Sequence, residues 1–312
     1  MEEGILEVRK LSKQYKSTKA LEKVNLILKR GDIYGLVGKN GAGKTTLLRI
    51  LAGQSFQTEG AISLFGENTE EGLRKGRKRV GAIIEEPGFY SYMTARQNLE
   101  YYRIQRGIPG KQCVQEALTE VGLADTGSKK FQDFSLGMKQ RLGLALALMN
   151  KPEILLLDEP INGLDPFGIV EIRNLLLKLN QEKKITILIS SHILAELSNL
   201  VTKYGFIDQG KLIKQLSGDE LKEECSQYLE VKVDKAEHLA AILETRLGCH
   251  EYKVTSDYTL QIYEYLNQPE VISQLAIENG IGLNSIHLKE INLEDYFMQL
   301  LGGKENEIIF KK

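Results

Sequence analysis

A glycine-rich segment at residues 38–46 has the composition and spacing of a phosphate-binding loop, because it fits the pattern G-x-x-x-x-G-K-[ST]. Its glycines permit backbone angles and close approaches that a Cβ atom would block, so successive N–H groups can form a nest for an anion. Lys44 would place its charge on the outer phosphates, and the Thr45 hydroxyl could ligate Mg²⁺. The residues predicted to bind the ligand here are Gly38, Lys39, Asn40, Gly41, Ala42, Gly43, Lys44, Thr45 and Thr46.

A second candidate site is an acidic pair at the end of an apolar run. Residues 154–157 are isoleucine and leucine, which suits a strand buried on both faces, and Asp158 and Glu159 follow directly. Asp158 is placed to bind the water shell of Mg²⁺, and Glu159 is placed to polarise an attacking water as general base. Asp-Glu-Pro is also ordinary turn chemistry. The presence of a phosphate loop in the same domain favours the functional interpretation.

The elements that must position these residues alternate between strands and helices. A predicted strand precedes the glycine-rich loop and a predicted helix follows it, which is the context that a phosphate loop requires. Residues 92–149 are predicted to be largely helical, with Thr94 and Gln97 forming a capping box. The alternation predicts an α/β domain with a largely parallel sheet. The predicted strands are 5–8, 24–28, 33–37, 61–65, 80–84, 154–157 and 185–189.

The character of the sequence changes near residue 218. The following segment predicts the order β-α-β-β-α-β, which fits a small ferredoxin-like α+β unit. Within it, Asp234 is predicted to cap a helix that Gly248 ends. We therefore predict two domains, residues 1–217 and an accessory domain at residues 218–312.

Composition limits the classes of protein to which the chain can belong. The 312 residues carry 41 Lys and Arg against 42 Asp and Glu, a net charge of −1 that leaves no global field to hold nucleic acid. No apolar run approaches the roughly 20 residues that span a bilayer, and the N-terminus lacks the features of a signal peptide. Cys113, Cys225 and Cys249 suggest neither a disulfide framework nor a zinc site. We expect a cytoplasmic location and no nucleic-acid partner.

Further motifs make the chain resemble the ATP-binding cassette of ABC transporters over about residues 4–217. Residues 134–141 match the family signature, usually Leu-Ser-Gly-Gly-Gln, and retain Ser135 and Gly137 of that pentad. Residues 162–165 match the family's D-loop, and His192 matches its switch histidine. The resemblance implies a P-loop NTPase (RecA-like) fold with antiparallel β and helical subdomains, the latter at about residues 91–150.

The resemblance also implies roles for individual residues. Tyr15 would stack on adenine, His192 would hold the attacking water, and Ser135 with Gly137 would close on the γ-phosphate bound by a second subunit. Leu136 replaces a glycine, so we expect a positive φ there to become costly. Without the family, Tyr15 is a partly buried strand aromatic, Ser135 an ordinary helix N-cap, and His192 a residue at the end of a strand.

Glu85 occupies the position at which the family has a glutamine that contacts Mg²⁺ and water. A carboxylate there could ligate Mg²⁺ and would add repulsion toward the γ-phosphate, so we predict catalytic and metal-binding roles; a solvated turn is the alternative. Together with the following Pro-Gly-Phe-Tyr, Glu85 resembles the bacitracin-export and lantibiotic-immunity branch of the family. Phe89 and Tyr90 are either a docking pair for a membrane partner or packing residues between subdomains.

These resemblances predict an ATP-hydrolysing subunit that requires ATP and Mg²⁺. We expect it to pair with a second ATP-binding subunit, as a homodimer, and to power a separate membrane permease from the inner face of the cell membrane. The predicted cargo is antimicrobial peptide, handled by the permease. The alternatives are export of another drug or lipid-like cargo, a soluble ABC ATPase acting on ribosomes or DNA, and a phosphate-loop kinase. The last would leave residues 134–141 and His192 unexplained.

Overall fold

The computed structural model describes residues 4–85, 88–225, 227–290 and 293–301. The chain forms two compact units, Met1–Gly218 and Asp219–Lys312. None of the helices in the described part of the chain has the length and apolar character needed to cross a membrane.

The first unit contains most of the secondary structure. In chain order its elements are β1 (Leu6–Tyr15), β2 (Thr18–Leu28), β3 (Ile33–Val37), α1 (Lys44–Leu51), β4 (Glu59–Leu64), α2 (Glu70–Arg77), β5 (Val80–Ile83), α3 (Ala95–Gln105), α4 (Gln112–Glu120), a 3₁₀ turn (Phe131–Asp133), α5 (Leu136–Leu148), β6 (Ile154–Asp158), α6 (Pro166–Lys183), β7 (Thr186–Ser191), α7 (Leu194–Leu197), β8 (Lys203–Asp208) and β9 (Lys211–Ser217).

A six-stranded sheet in the order β5-β6-β7-β3-β8-β9 is the centre of this unit. All neighbouring strands pair in parallel except β9, which is antiparallel to β8. β3 and β7 are buried along their whole length, as expected for strands covered on both faces. Because β6, β7 and β3 are adjacent and parallel, their carboxyl ends meet at one edge of the sheet. The predicted α/β class with a largely parallel sheet is confirmed.

A second, three-stranded antiparallel sheet has the order β2-β1-β4. Along β2, Val24, Leu26 and Leu28 are buried whereas Asn25 and Ile27 are exposed, so one face meets the core and the other meets solvent. The buried face packs in one cluster with α1. β1 and β2 run well beyond the predicted segments 5–8 and 24–28, because their polar outer stretches continue the hairpin pairing to Tyr15 and Thr18.

The helical segment α3–α5 begins at the predicted capping box, which is confirmed. The Thr94 hydroxyl accepts from the Gln97 N–H at 3.2 Å, and the Gln97 side chain accepts from the Thr94 N–H at 2.9 Å. Fully buried Asn98 holds the preceding loop by accepting from the Tyr90 N–H at 2.8 Å and donating to the Tyr90 carbonyl at 3.1 Å. Phe89 packs edge-on against Tyr102, with ring centroids 5.7 Å apart. Phe89 and Tyr90 are thus half-buried against the helical segment.

The second unit has the predicted β-α-β-β-α-β order. Its elements are α8 (Gly218–Glu224), β10 (Gln227–Val233), α9 (Ala236–Ile242), a π-helical turn (Leu243–Leu247), β11 (Tyr252–Ser256), β12 (Thr259–Ile262), α10 (Pro269–Glu278), β13 (Leu283–Glu290) and α11 (Leu293–Leu301). The strand order is β11-β12-β10-β13 and every pairing is antiparallel, which is the ferredoxin-like arrangement. The core contains Leu229, Val231 and Val233.

The ends of the helix after β10 differ in part from the prediction. Gly248 ends the π-helical turn in a left-handed conformation, as expected of a helix-stop glycine. Asp234, in contrast, does not cap α9; its carboxylate accepts from the Gly282 N–H at 2.9 Å. The prediction was wrong because a long-range partner captures the side chain that a local motif assigned to the helix.

Candidate functional site

The glycine-rich loop connects β3 to α1, whose first residue is Lys44. Gly43 has φ +110°, and a Cβ there would lie 2.6 Å from the Ala20 carbonyl oxygen, so both conformation and space require glycine. A Cβ on Gly38 would lie 2.4 Å from the Ile207 carbonyl oxygen. The loop therefore packs tightly on its neighbours. Its tip, residues 39–41, is exposed.

The Lys44 ammonium lies at the centre of this loop. It donates to the Gly38 carbonyl at 2.6 Å and to the Lys39 carbonyl at 3.2 Å, and its side chain is only 5% exposed. The same ammonium lies 3.2 Å from Glu159 Oε1. A fixed positive charge surrounded by loop backbone at a helix N-terminus is suited to holding phosphate oxygens.

Thr45 and Asp158 meet at the carboxyl edge of the sheet. The Thr45 hydroxyl donates to Asp158 Oδ2 at 2.7 Å, and the Ser190 hydroxyl donates to Asp158 Oδ1 at 2.6 Å. A hydroxyl and a carboxylate are hard oxygen ligands of the kind that Mg²⁺ accepts, with phosphates and water completing its shell. In the part of the chain that the structure describes, no group of three or more His, Cys, Asp or Glu could hold a metal by itself. The residues therefore fit Mg²⁺ that arrives with a phosphate ligand.

Glu159 and His192 form the next part of the cluster. His192 Nδ1 lies 2.8 Å from Glu159 Oε2, and both side chains are largely buried. The Glu159 backbone has φ 47°, which is uncommon for a residue with a side chain, and its N–H donates to the Ser190 hydroxyl at 3.0 Å. Ser190 therefore links Asp158 to the backbone of Glu159. Glu159 therefore contacts both His192 and the Lys44 ammonium of the phosphate loop.

Glu85 lies apart from this cluster. Its exposed carboxylate pairs with the Arg49 guanidinium in α1, and its backbone has φ 63°. Within the described ranges, no hydrogen bond or ion pair joins Glu85 to Thr45 or Asp158. Glu86 and Pro87, which follow it, lie outside the described residues.

Tyr15 is the last residue of β1 and is 44% exposed. Its hydroxyl lies 3.3 Å from the Ser55 hydroxyl, and the Lys13 ammonium lies 4.6 Å from the ring centroid. An exposed ring of this kind is available for stacking.

The signature residues form the N-terminus of α5. Ser135 is its N-cap, accepting from the Met138 N–H at 3.3 Å, and Gly137 is in the first turn. Leu136 is the first helical residue and has no positive φ. The cost expected for a positive φ at Leu136 does not arise here, because a helical φ is accessible to any L-residue. Among the described residues, no hydrogen bond or ion pair joins Ser135 or Gly137 to the Lys44 cluster.

The structure thus brings together Lys44, Thr45, Asp158, Glu159 and His192, which come from three different strand ends. Sequence reasoning missed Ser190, which bonds Asp158 and the Glu159 backbone. The available signal was its position two residues before His192, at the end of an apolar run. The arrangement defines the class of the protein: a P-loop nucleotide-binding domain with a carboxylate beside the phosphate site.

Comparisons with known proteins identify the family. Residues 21–162 match the ABC transporter family. The bacitracin transport ATP-binding protein BcrA of Bacillus licheniformis is 44% identical over 299 residues, covering 96% of this chain and 98% of that protein. The lantibiotic transport ATP-binding protein SrtF of Streptococcus pyogenes is 40% identical over 222 residues, covering 70% of this chain and 95% of that protein.

Solved structures are consistent with this family. A dimeric structure of the ATP-binding cassette MJ0796, in a post-hydrolysis state with ADP and Pi, has a TM-score of 0.61 at 25% identity, covering 68% of this chain and 98% of that chain. The chain belongs to the ATP-binding subunits of ABC transporters and is an ATPase of that family. The predicted family and fold are confirmed.

Proposed function

We propose that this chain hydrolyses ATP to drive a separate permease that exports membrane-active antimicrobial peptides of the bacitracin or lantibiotic type. The observation that carries the ATPase part is the cluster of Lys44, Thr45, Asp158, Glu159 and His192 at one edge of the parallel sheet. The cargo part is supported by the relatives named for bacitracin and lantibiotic transport, one of which aligns over almost the whole chain.

Nucleotide binding is assigned to the loop of residues 38–46 and to Tyr15. The loop N–H groups and the Lys44 ammonium would hold the phosphates, and the exposed Tyr15 ring would stack on adenine. Lys44 already contacts two loop carbonyls, so its ammonium is positioned before phosphate arrives. This preorganisation lowers the cost of binding.

Hydrolysis is assigned to the acidic end of β6. Thr45 and Asp158 would hold Mg²⁺, whose charge would offset that of the phosphates. Glu159 would accept a proton from the attacking water at Oε1 or Oε2, and His192, 2.8 Å from Glu159, would hold that water in line with the γ-phosphate. Glu85 is proposed as a third protein ligand of Mg²⁺ with a catalytic role, and to reach the metal it would leave Arg49.

Ser135 and Gly137 are assigned to the nucleotide of a second subunit. The Ser135 hydroxyl and the N-terminus of α5 provide an anion site. Within the described residues, Ser135 makes no hydrogen bond to the Lys44 cluster of its own chain. ATP-binding subunits of this family act as dimers, so we propose a homodimer in which each copy completes the other's site.

The permease is assigned the transmembrane path and the contact with peptide. ATP-binding subunits of ABC transporters work with membrane permeases, and we propose that this chain lies on the cytoplasmic face of the membrane through such a partner. The charge balance offers no support for a nucleic-acid partner. Another drug or lipid-like cargo is the alternative. It would use the same ATP site.

A susceptibility experiment tests the cargo. Cells lacking this gene are challenged with bacitracin, a lantibiotic and an unrelated antibiotic, and are complemented with the wild type or with Glu159→Gln. We expect sensitivity to the peptides alone to rise, and only the wild type to restore resistance. Unchanged susceptibility to both peptides would contradict the cargo assignment and would leave the ATPase assignment intact.

A further inference from the structure

The turn that carries His192 is organised by the hydroxyl of the residue before it. Ser191 is fully buried, and its hydroxyl accepts from the Ile193 N–H at 3.0 Å. The hydroxyl has two acceptors within reach, the Ile193 carbonyl and Glu196 Oε2, both at 3.1 Å. Ser191 therefore contacts the backbone of the residue after His192 and a side chain in α7.

Glu196 is the partner that can hold this hydroxyl in one orientation. A hydroxyl has a single proton, and a carboxylate is a stronger acceptor than a backbone carbonyl. The Glu196 side chain is half-buried in α7. The pKa of the Glu196 carboxyl is raised above its ordinary value, chiefly by burial and also by the negative charge of Glu159. The hydrogen bond from the Ser191 hydroxyl and the charge of a protonated His192 act in the opposite direction. The charges of Glu159 and His192 thus both act on the Glu196 carboxyl, which contacts Ser191 directly.

We propose that Glu196 is a positioning residue for ATP hydrolysis: through the Ser191 hydroxyl it fixes the turn that holds His192 against Glu159. This inference rests on the proposed hydrolytic role of Glu159 and His192. Glu196 has no contact with the phosphate loop among the described hydrogen bonds, so it acts through Ser191.

The consequence of losing Glu196 follows from these contacts. The Ser191 proton would go to the Ile193 carbonyl, and α7 would no longer be tied to the end of β7. His192 would then sample positions away from Glu159. Because small displacements of positioned groups reduce the rate of a chemical step far more than they reduce substrate binding, kcat is the quantity that should fall.

ATPase kinetics of the purified full chain provide the first test. We expect Glu196→Ala to lower kcat about tenfold with little change in KM for ATP. Glu196→Gln retains an amide oxygen that accepts the same hydrogen bond, so its kcat should stay within about twofold of the wild type. The matched control is Ser198→Ala, which removes an exposed hydroxyl that donates to the Ala195 carbonyl in the same helical region.

Amide hydrogen exchange provides a second test that does not need hydrolysis. The Ile193 N–H is held by Ser191, so its exchange should accelerate about tenfold in Glu196→Ala and should stay at the wild-type rate in Glu196→Gln. Wild-type kcat in Glu196→Ala, or equal losses in the alanine and glutamine variants, would overturn the proposal. If the wild type hydrolyses no ATP, the proposed function fails, while unchanged Ile193 exchange in Glu196→Ala separately overturns the positioning role.

Discussion

At the scale of single residues, the site depends on opposite charges held close together on side chains that are mostly buried. Lys44 is 5% exposed and lies 3.2 Å from Glu159, which itself contacts His192. Removing one member of such a group leaves its partner uncompensated. The residue proposed to bind phosphate and the pair proposed to act on water are therefore electrostatically linked before any ligand is bound.

Lys44→Ala should abolish tight ATP binding, because it removes the only charge that the loop encloses among the described residues. We expect affinity to fall at least about 100-fold, as for loss of a charge-assisted contact with phosphate. Fluorescent-nucleotide titration measures this, with the exposed Lys75→Ala as the matched control. Retained affinity in Lys44→Ala would place the phosphates elsewhere.

Glu85→Gln should leave the affinity for ATP within about twofold of that of the wild type, because Glu85 pairs with Arg49 away from the Lys44 cluster. We expect the substitution to change transport more than nucleotide binding. The measurements are nucleotide titration, ATPase rate and peptide resistance of complemented cells. If all three match the wild type, the Glu85 charge has no role in coupling.

Local residue types made the phosphate loop predictable, whereas the partners of several side chains were not. Gly43 contributes a backbone conformation and Lys44 contributes a charge, and both properties can be inferred from the residues of the loop itself. The Glu85–Arg49 pair and the Ser190–Asp158 hydrogen bond join residues far apart in sequence, so no spacing rule anticipates them. The φ angle at Leu136 was also open from the sequence, because a family motif does not specify the φ angle in this chain.

At the scale of elements, three parallel strand ends create the site. β3 leads into the phosphate loop, β6 ends at Asp158 and β7 ends at Ser191, and β7 lies between the other two. Buried apolar runs made these strands predictable. β8 and β9 were not predicted. β9 alternates exposed and half-buried residues and is defined by its pairing with β8.

Asn98 connects α3 to the loop before it, and its removal tests that connection. The amide is fully buried and also donates to the Thr94 carbonyl at 3.1 Å. We expect Asn98→Ala to lower the free energy of unfolding by about 2 kcal/mol, because it leaves buried backbone groups without partners. Urea denaturation measures the change, with the exposed Gln105→Ala as control. A loss no larger than that of the control would contradict this role.

At the scale of the whole molecule, the chain consists of two units with separate cores. The second core encloses Cys249, and burial first, then Glu264, raises the pKa of its thiol to about 11. The thiolate is the reactive form, so Cys249 should resist alkylation at pH 8 in the native protein and react after unfolding in urea. Peptide mass mapping measures this. Native modification of Cys249 as fast as that of half-buried Cys113 would show that the second core is open.

The match to the ABC transporter family model lies within the first unit, and the central claim is that Glu159 acts on water beside the Lys44 phosphate site. Glu159→Gln keeps the size of the side chain and removes the base. Its matched control is Glu153→Gln, just before the other end of β6, where Glu153 pairs with Arg30 and Arg79 outside the site.

The most direct measurement is therefore ATP hydrolysis together with ATP-dependent dimerisation of these two variants. The account predicts that Glu159→Gln binds ATP, loses at least about 100-fold in hydrolysis and accumulates as an ATP-bound dimer, while Glu153→Gln stays within about twofold of the wild type. Hydrolysis by Glu159→Gln at a rate near that of the wild type would contradict it.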